Sequence, residues 1–376
     1  MNQPCQNPVV THIISGDLWA GAEAQVFNLC DALQASGNVS VTAVVFNAGI
    51  LQEKLLALGI PVSLADETLL GPLAIAKAIA NHCREHQSQV VHTHGFKENV
   101  LGIVGKELSR TPASVRTVHG NPETAVSFLK PHKRLINKLD ILLGRSRQQA
   151  VIAVSSQLEQ KLKTLFPCKV QKISNFLDVE SLRRTWVDGA AGKKTGLRIG
   201  IAGRLVPVKR VDLFIETIAQ LNDRGIACEG IVIGNGPLEA RLRALATTKG
   251  VADRITFRGF VDPIHPELQT LDALLMPSDH EGLPMTLIEA LALEVPVVAH
   301  NTGGIPEVLA EGAGGWLVDD HSPTGYANAL HTLLTSPQLT EERKRTGLET
   351  VKRQFDRSAQ TEKYLEIYSA LANRER

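Results

Sequence analysis

A chain of 376 residues is longer than one hydrophobic core ordinarily fills, and 43% hydrophobic with 21% charged residues is a folded composition; the numbers predict two domains and exclude a fibre or a disordered chain. A formal net charge of +1 gives no overall field to gather nucleic acid, and none is expected as a partner. The first 185 residues hold 19 Lys+Arg against 14 Asp+Glu and the remainder 21 against 25, so the basic excess lies in the first half, either facing an anionic partner or scattered as solvated charge.

In chain order, short β-branched runs alternate with longer amphipathic stretches, the pattern of repeated β-α units around parallel sheets. In the first half strands are predicted at 9–14, 40–46, 90–93, 114–118, 150–154 and 169–173, with a helix over 22–35 whose apolar positions are Ala22, Val26, Leu29, Ala32 and Leu33. In the second half they are predicted at 197–202, 228–233, 254–257, 273–276, 295–299 and 316–318. Residues 188–196, DGAAGKKTG, are small, polar and aperiodic and read as a linker.

The fold class is therefore α/β: a first Rossmann-like domain over 1–187, the linker 188–196, a second Rossmann-like domain over 197–355, and a terminal helical stretch 356–376 that is expected to pack back on the first domain. Ligands of such sheets sit at the carboxyl ends of the strands, here expected in a cleft between the domains.

Cys5, Cys30, Cys83, Cys168 and Cys228 are odd in number and contain no Cys-x-x-Cys pair, which argues against a disulfide framework and a zinc site and for a reducing compartment. The start, MNQPCQNPVV, lacks the basic and apolar regions of a signal peptide, and no apolar run approaches the roughly 20 residues that span a bilayer. A cytoplasmic location is expected.

Three loops carry chemistry. After the first predicted strand, Ser15 to Gly21 opens into a helix, whose free N–H groups favour an anion; a plain tight turn reads equally well from these residues. After the strand at 197–202 comes Gly203-Arg204, with Lys209 five residues on. A guanidinium and an ammonium at the mouth of a sheet neutralise a diphosphate, most strongly as it leaves and charge develops. The third is Glu281-Gly282-Leu283-Pro284-Met285-Thr286, followed by Glu289. Pro284 suits the first turn of a helix, whose open amides over 282–286 would point at phosphate or sugar. Glu289 on that helix would accept hydrogen bonds from two ribose hydroxyls, and Glu281 would meet sugar hydroxyls or a positive anomeric carbon.

The succession Gly203-Arg204 with Lys209, Gly234-Asn235-Gly236-Pro237, Glu281-x7-Glu289 and Gly303-Gly304-Ile305-Pro306-Glu307 resembles that of family-four glycosyltransferases, retaining enzymes of the GT-B fold. The loop Gly16–Gly21, His92-Thr93-His94-Gly95, His119-Gly120 and Ser174-Asn175 look like the matching N-terminal features. Two positions depart from the family pattern: Leu177 stands where a glycine is more usual, and Ala20-Gly21 replaces a Gly-Gly pair.

The resemblance implies Arg204, Lys209, Glu281 and His119 as catalytic residues, with His119 at the sugar. It implies a donor site of Gly21, Gly203, Gly234, Gly282, Leu283, Pro284, Met285, Thr286 and Glu289. The implied reaction moves a hexose or N-acetylhexosamine from a nucleotide diphosphate sugar, UDP-linked before GDP-mannose, to a saccharide or lipid-linked acceptor. The implied setting is surface polysaccharide or lipopolysaccharide synthesis. A nucleotide-sugar epimerase, or a nucleotide-sugar-binding protein without turnover, are the alternatives.

No cofactor and no metal are expected. The chain has no Asp-x-Asp, and the pair His92 and His94 has no third ligand nearby in sequence. The stretch 130–147 carries six Lys/Arg against one acid, interleaved with Leu135, Ile136, Leu139, Leu142 and Leu143. It reads as a peripheral contact with an anionic membrane, which would place the protein at the inner face, or as a domain helix with a buried leucine face and solvated charges.

Overall fold

The computed structural model describes residues 7–120, 131–187 and 196–373, with side chains in the helix Pro131–Arg147 described from residue 138 on. The chain divides into two compact units, residues 1–176 with 357–376, and residues 177–356.

The first unit holds seven parallel strands: β1 Val9–Ile14, β2 Ser40–Val45, β3 Val62–Leu64, β4 Val90–Thr93, β5 Ala113–Val118, β6 Ala150–Ala153 and β7 Val170–Lys172. Their order is β3-β2-β1-β4-β5-β6-β7. A parallel sheet covered on both faces buries whole strands rather than alternate residues, and β4, β5 and β6 are buried throughout. The short edge strand β3 has no counterpart among the predicted strands; its three residues are half-buried or exposed, so no apolar run announces it.

The helix Gly21–Ser36 turns Val26, Leu29, Cys30, Ala32 and Leu33 inward and stops at Gly37, whose φ of 65° forms the left-handed cap. The helix Arg357–Ala372 also belongs to this unit and puts Tyr364, Tyr368 and Leu371 into its core. Arg357 holds its start down by donating to Asp31 at 2.6 Å.

The second unit holds six parallel strands: β8 Leu197–Ala202, β9 Cys228–Ile233, β10 Ile255–Gly259, β11 Ala273–Met276, β12 Val297–His300 and β13 Trp316–Val318, in the order β10-β9-β8-β11-β12-β13. The unit boundary falls at Phe176/Leu177 rather than at the expected residue 187. The reason is local: the helix Val179–Trp186 packs on the second unit, where Arg183 donates to the Ala292 carbonyl at 2.7 Å and Gln269 to the Trp186 carbonyl at 2.5 Å. Of the predicted linker 188–196, only Gly196 lies among the described residues.

Candidate active site

Each strand order reverses once, between β1 and β4 in the first sheet and between β8 and β11 in the second. Loops leaving neighbouring strands on opposite sides of such a point open a crevice at the carboxyl end of the sheet. The predicted site residues lie on loops after β1, β5, β8, β9 and β11 and on the helices Gly21–Ser36 and Met285–Ala292.

In the second unit the loop after β8 is built against the loop after β9. Gly203 donates to the Ile233 carbonyl at 2.9 Å and Leu205 to that of Asn235 at 2.9 Å. Gly234 has φ of 130°, and a Cβ there would stand 2.0 Å from the Gly203 carbonyl oxygen, so only glycine permits the approach. A short 3-10 helix, Pro207–Lys209, follows and delivers Lys209. Its Nζ lies 2.7 Å from Oε1 of Glu281, with the two side chains 22% and 10% exposed. Arg204 is exposed on the same loop.

The loop after β11 carries Glu281, and the loop after β12 clamps it. Gly303, at φ of 62°, would place a Cβ 2.0 Å from the Glu281 carbonyl oxygen, and Gly304 donates to that oxygen at 3.4 Å. The 3-10 helix is tied in as well, for Asp279 donates to the Val208 carbonyl at 2.8 Å. The backbone of Glu281 is thus fixed by one loop and its carboxylate by a cation from another. Pro284 is the N-cap of the helix Met285–Ala292, one position before the first turn where the sequence suggested it. Gly282 and Thr286 are half-buried, and Leu283, Pro284 and Met285 are buried. Glu289 lies on the helix, 3.6 Å from Nε2 of His265, on which the Trp186 ring leans. A small cavity at the ends of β8, β9 and β11 is lined by Gly203, Leu205, Lys209, Met276 and Ser278; Arg204, Glu281 and Glu289 are not part of its wall.

In the first unit Gly21 is the first residue of its helix, behind the N-cap Ala20, and Glu23 follows one position after Ala22. Burial pushes the Glu23 carboxyl up to about 7, against the pull of backbone amides. Glu98, likewise buried, is pushed above the usual carboxylate range for the same reason and folds over Gly95.

On β1, on β4 and just past the ends of β4 and β5 stand four histidines. His12 on β1 is in register with His92 on β4. His12 Nδ1 lies 2.9 Å from His94 Nε2, and His94 Nδ1 lies 3.2 Å from His119 Nε2. His92 meets the Tyr368 hydroxyl at 2.6 Å and that of Thr117 at 2.8 Å. Burial lowers all four rings, His12 to about 3 and His119 to about 4. The third histidine near His92 and His94, which the sequence did not suggest, is His12: ligand atoms of the three lie within 4.8 Å of one another. Both nitrogens of His92 already have hydroxyl partners, so the arrangement as it stands is a hydrogen-bonded one.

Sequence reasoning also missed a buried ion pair: Arg116 donates to Asp140 at 2.7 Å with both side chains 2% exposed, and Asn99 donates to the other carboxylate oxygen at 2.8 Å. An arginine between Val115 and Thr117 inside an apolar strand was the available signal. Asp140 and Gly144 are the buried residues on the described part of the basic helix, while Leu142 is 60% and Leu139 37% exposed. Leu143 is half-buried, and Leu135 and Ile136 are among the residues whose side chains are not described. Lys130 and the side chains of residues 131–137 lie outside the described residues. Among the described residues no helix is long and apolar enough to cross a membrane.

Two family models match the chain: Glycosyltransferase Family 4 over residues 19–181 and Glycosyl transferases group 1 over residues 184–352. The chain belongs to the family-four glycosyltransferases. Among curated relatives, this glycosyltransferase is similar to the alpha-D-kanosaminyltransferase of Streptomyces kanamyceticus, 32% identical over 141 residues, 37% of this chain and 36% of the relative. It is also similar to the lipopolysaccharide core biosynthesis glycosyltransferase LpsE of Rhizobium meliloti, 29% identical over 208 residues, 54% of this chain and 58% of the relative. The chain thus spans less than two thirds of the length of either.

Among solved structures, HepE of Anabaena in complex with UDP and glucose matches with a TM-score of 0.80 at 19% identity, over 97% of this chain and 100% of that one. At that identity the likeness concerns the fold, and it shows the Rossmann-like pair of α/β units to be of the GT-B class.

Proposed function

We propose that this glycosyltransferase moves a hexose or N-acetylhexosamine from a nucleotide diphosphate sugar to a saccharide or lipid-linked acceptor, with retention at the anomeric carbon and without a metal. The observation that carries the reading is the Lys209–Glu281 pair at the β8/β11 switch point, 2.7 Å apart. It joins a cation suited to the leaving diphosphate to a carboxylate suited to the sugar. Fixed charge of this kind acts most strongly on the transition state, where the diphosphate becomes more negative. Arg204 adds a second cation on the same loop, and Lys209 with Arg204 takes the place of a divalent ion. Glu289 receives the ribose, and the backbone over 282–286 with Gly203 and Gly234 receives phosphate and sugar. From the first unit, Gly21 serves the diphosphate and His119 the sugar.

Retention without an assigned nucleophile is read as a front-side route, in which the leaving phosphate oxygen accepts the proton of the acceptor hydroxyl. A UDP-sugar is the first donor to try and GDP-mannose the second; the UDP and glucose bound by HepE support that order. LpsE, named for lipopolysaccharide core biosynthesis, supports a place in surface polysaccharide or lipopolysaccharide synthesis, and for such a role we place the protein at the inner face of the membrane. The exposed Leu139 and Leu142 beside Lys138, Arg145 and Arg147 supply a surface for that contact.

The test is a thermal-shift panel of UDP-, GDP- and ADP-sugars, followed by product analysis with and without a chelator. A true donor at 100 times its Kd stabilises the fold by about 2.7 kcal/mol. Stabilisation by none of them, or an epimerised sugar formed from donor alone, rejects the reading.

A further inference from the structure

His12, His94 and His119 form a chain of three rings joined by two hydrogen bonds, His12 Nδ1 to His94 Nε2 at 2.9 Å and His94 Nδ1 to His119 Nε2 at 3.2 Å. Burial keeps all three rings neutral at neutral pH, each far below the ordinary histidine value. A neutral imidazole has one N–H and one lone pair. The middle ring must therefore donate in one direction and accept from the other, and the chain has a polarity: both bonds point toward His119 or both point toward His12.

The two ends decide which. Among the described residues, His12 Nε2 and His119 Nδ1 are both buried side-chain atoms without a hydrogen-bond partner. They differ in surroundings. His12 sits in the middle of the sheet, wholly buried, flanked by His92 and by Tyr368 edge-on. His119 follows the last residue of β5, in the loop at the carboxyl end of the sheet, and is half-buried. Either polarity leaves one end with an unpartnered N–H and the other with a lone pair: toward His12 the N–H is in the middle of the sheet, and toward His119 it is at the carboxyl end of the sheet, where a ligand oxygen can meet it. Orphaned buried N–H groups are rarer than under-used acceptors.

We propose that His12 and His94 are positioning residues that hold His119 in its Nδ1–H tautomer, so that it presents a hydrogen-bond donor to a ligand oxygen at the carboxyl end of the first sheet. His12 Nδ1–H donates to His94, His94 Nδ1–H donates to His119 Nε2, and His119 is left with its N–H at Nδ1. The tautomer stands on the geometry of the first unit alone. That the receiving oxygen belongs to a sugar hydroxyl or a phosphate rests on the transferase reading above. His92 is outside the chain, since Tyr368 and Thr117 take its two nitrogens.

The experiment is long-range ¹H–¹⁵N correlation spectroscopy on the full-length protein with labelled histidine, the His119 signals being assigned by their loss in His119→Asn. The wild type is expected to show His119 protonated at Nδ1. His12→Phe removes the inner donor and is expected to move His119 to the Nε2–H form. His12→Asn, whose amide N–H replaces the Nδ1–H, is expected to restore it. His119 protonated at Nε2 in the wild type overturns the proposal even if His12→Phe does not fold, and so does an identical tautomer in all three proteins. Stoichiometric zinc that perturbs the nitrogens of His12 and His94 together also overturns it.

With a donor in hand, His12→Phe is expected to lower kcat/KM roughly tenfold, mainly through kcat, with recovery in His12→Asn. A changed tautomer with unchanged transfer overturns the assignment of the donor to the ligand and leaves the transferase reading standing.

Discussion

Lys209 and Glu281 stand 72 residues apart in sequence and 2.7 Å apart in space, one delivered by a 3-10 turn after β8 and the other by the loop after β11. Neither side chain is well solvated, at 22% and 10% exposed. A half-buried pair of this kind orients both partners more than it stabilises the fold, because desolvation offsets most of the attraction.

Replacing Lys209 by Ala is expected to lower kcat/KM by roughly a hundred- to a thousandfold, the range for loss of one preorganised charge-stabilising group. Glu281→Gln keeps a hydrogen bond to the ammonium and is expected to retain donor affinity better than Lys209→Ala does. Steady-state kinetics and donor titrations check both. Near-wild-type turnover by Lys209→Ala would remove its assigned role.

Gly303→Ala tests how the site is assembled. The new methyl would sit 2.0 Å from the Glu281 carbonyl oxygen on a backbone with φ of 62°. Something must move, and the loop bearing Glu281 is what it meets. Because the native conformation is incompatible, a loss of more than about 1 kcal/mol is expected, together with weaker donor-induced stabilisation. Gly312→Ala is the control: it shares the positive φ, at 95°, but its nearest neighbours are Leu317 side-chain atoms at 3.8 Å or more. Equal loss of donor response in both variants would argue against a special role for the Gly303 contact.

The architecture was legible in the sequence because both sheets are parallel and buried, so strands such as β6 and β11 stand out as compact apolar runs between helices. The loop motifs at Gly203, Glu281 and Gly303 were legible because glycine and proline mark them. What stayed hidden depends on strand order. His12 lies 80 residues before His92, and only the placement of β1 beside β4 makes them neighbours in register. Arg116 and Asp140 are joined in the same way, through β5 and a helix. The division at Phe176/Leu177 differs from the expected residue 187 because the helix Val179–Trp186 is held by contacts with Ala292 and Gln269, 109 and 83 residues on, that leave no mark in its own sequence.

The buried histidines make the first unit sensitive to acid. His12 and His119 titrate at about 3 and about 4 in the fold, against 6.5 for a free ring, and His92 and His94 are also held well below 6.5. As pH falls below 6.5 the unfolded chain takes up protons that the folded chain refuses, so stability is full above 6.5 and declines down to the folded values. Each ring contributes a slope of up to about 1.4 kcal/mol per pH unit within that window. Urea unfolding at pH 7.5, 6 and 5 should show a falling midpoint, and His12→Asn should flatten the decline. Because buried carboxyls oppose this trend, the comparison decides: the same pH dependence in wild type and His12→Asn would contradict the burial of that ring.

Glu23 acts in the opposite sense. Its carboxyl is raised from 4.5 to about 7 by burial, so the folded chain holds a proton there that the unfolded chain has lost. The stability this lends is present below pH 4.5 and is lost as pH rises toward 7. Glu23→Gln removes the ionisation and is expected to make the protein more stable than wild type at pH 8 while changing little at pH 5. Thermal melts at the two pH values check it, and a variant destabilised equally at both would show that the carboxyl is needed for its backbone hydrogen bonds instead.

Arg116 and Asp140 pose a different energetic question. Burial pushes the Asp140 carboxyl up by more than Arg116 and Asn99 pull it down, so the carboxylate does not fully recover what its charge lost on leaving water. What it fixes is placement: Asp140 is on the helix Pro131–Arg147 and Arg116 on β5, and the bond sets that helix on the sheet. Asp140→Ala leaves the guanidinium buried without its carboxylate and is expected to cost roughly 3–5 kcal/mol. The double variant Arg116→Met with Asp140→Leu removes both charges at similar volume and is expected to lie within about 1 kcal/mol of wild type. Urea unfolding of the two singles and the double measures the coupling directly. Additive losses, with the double variant worse than either single, would show that each side chain acts through separate packing rather than through the other.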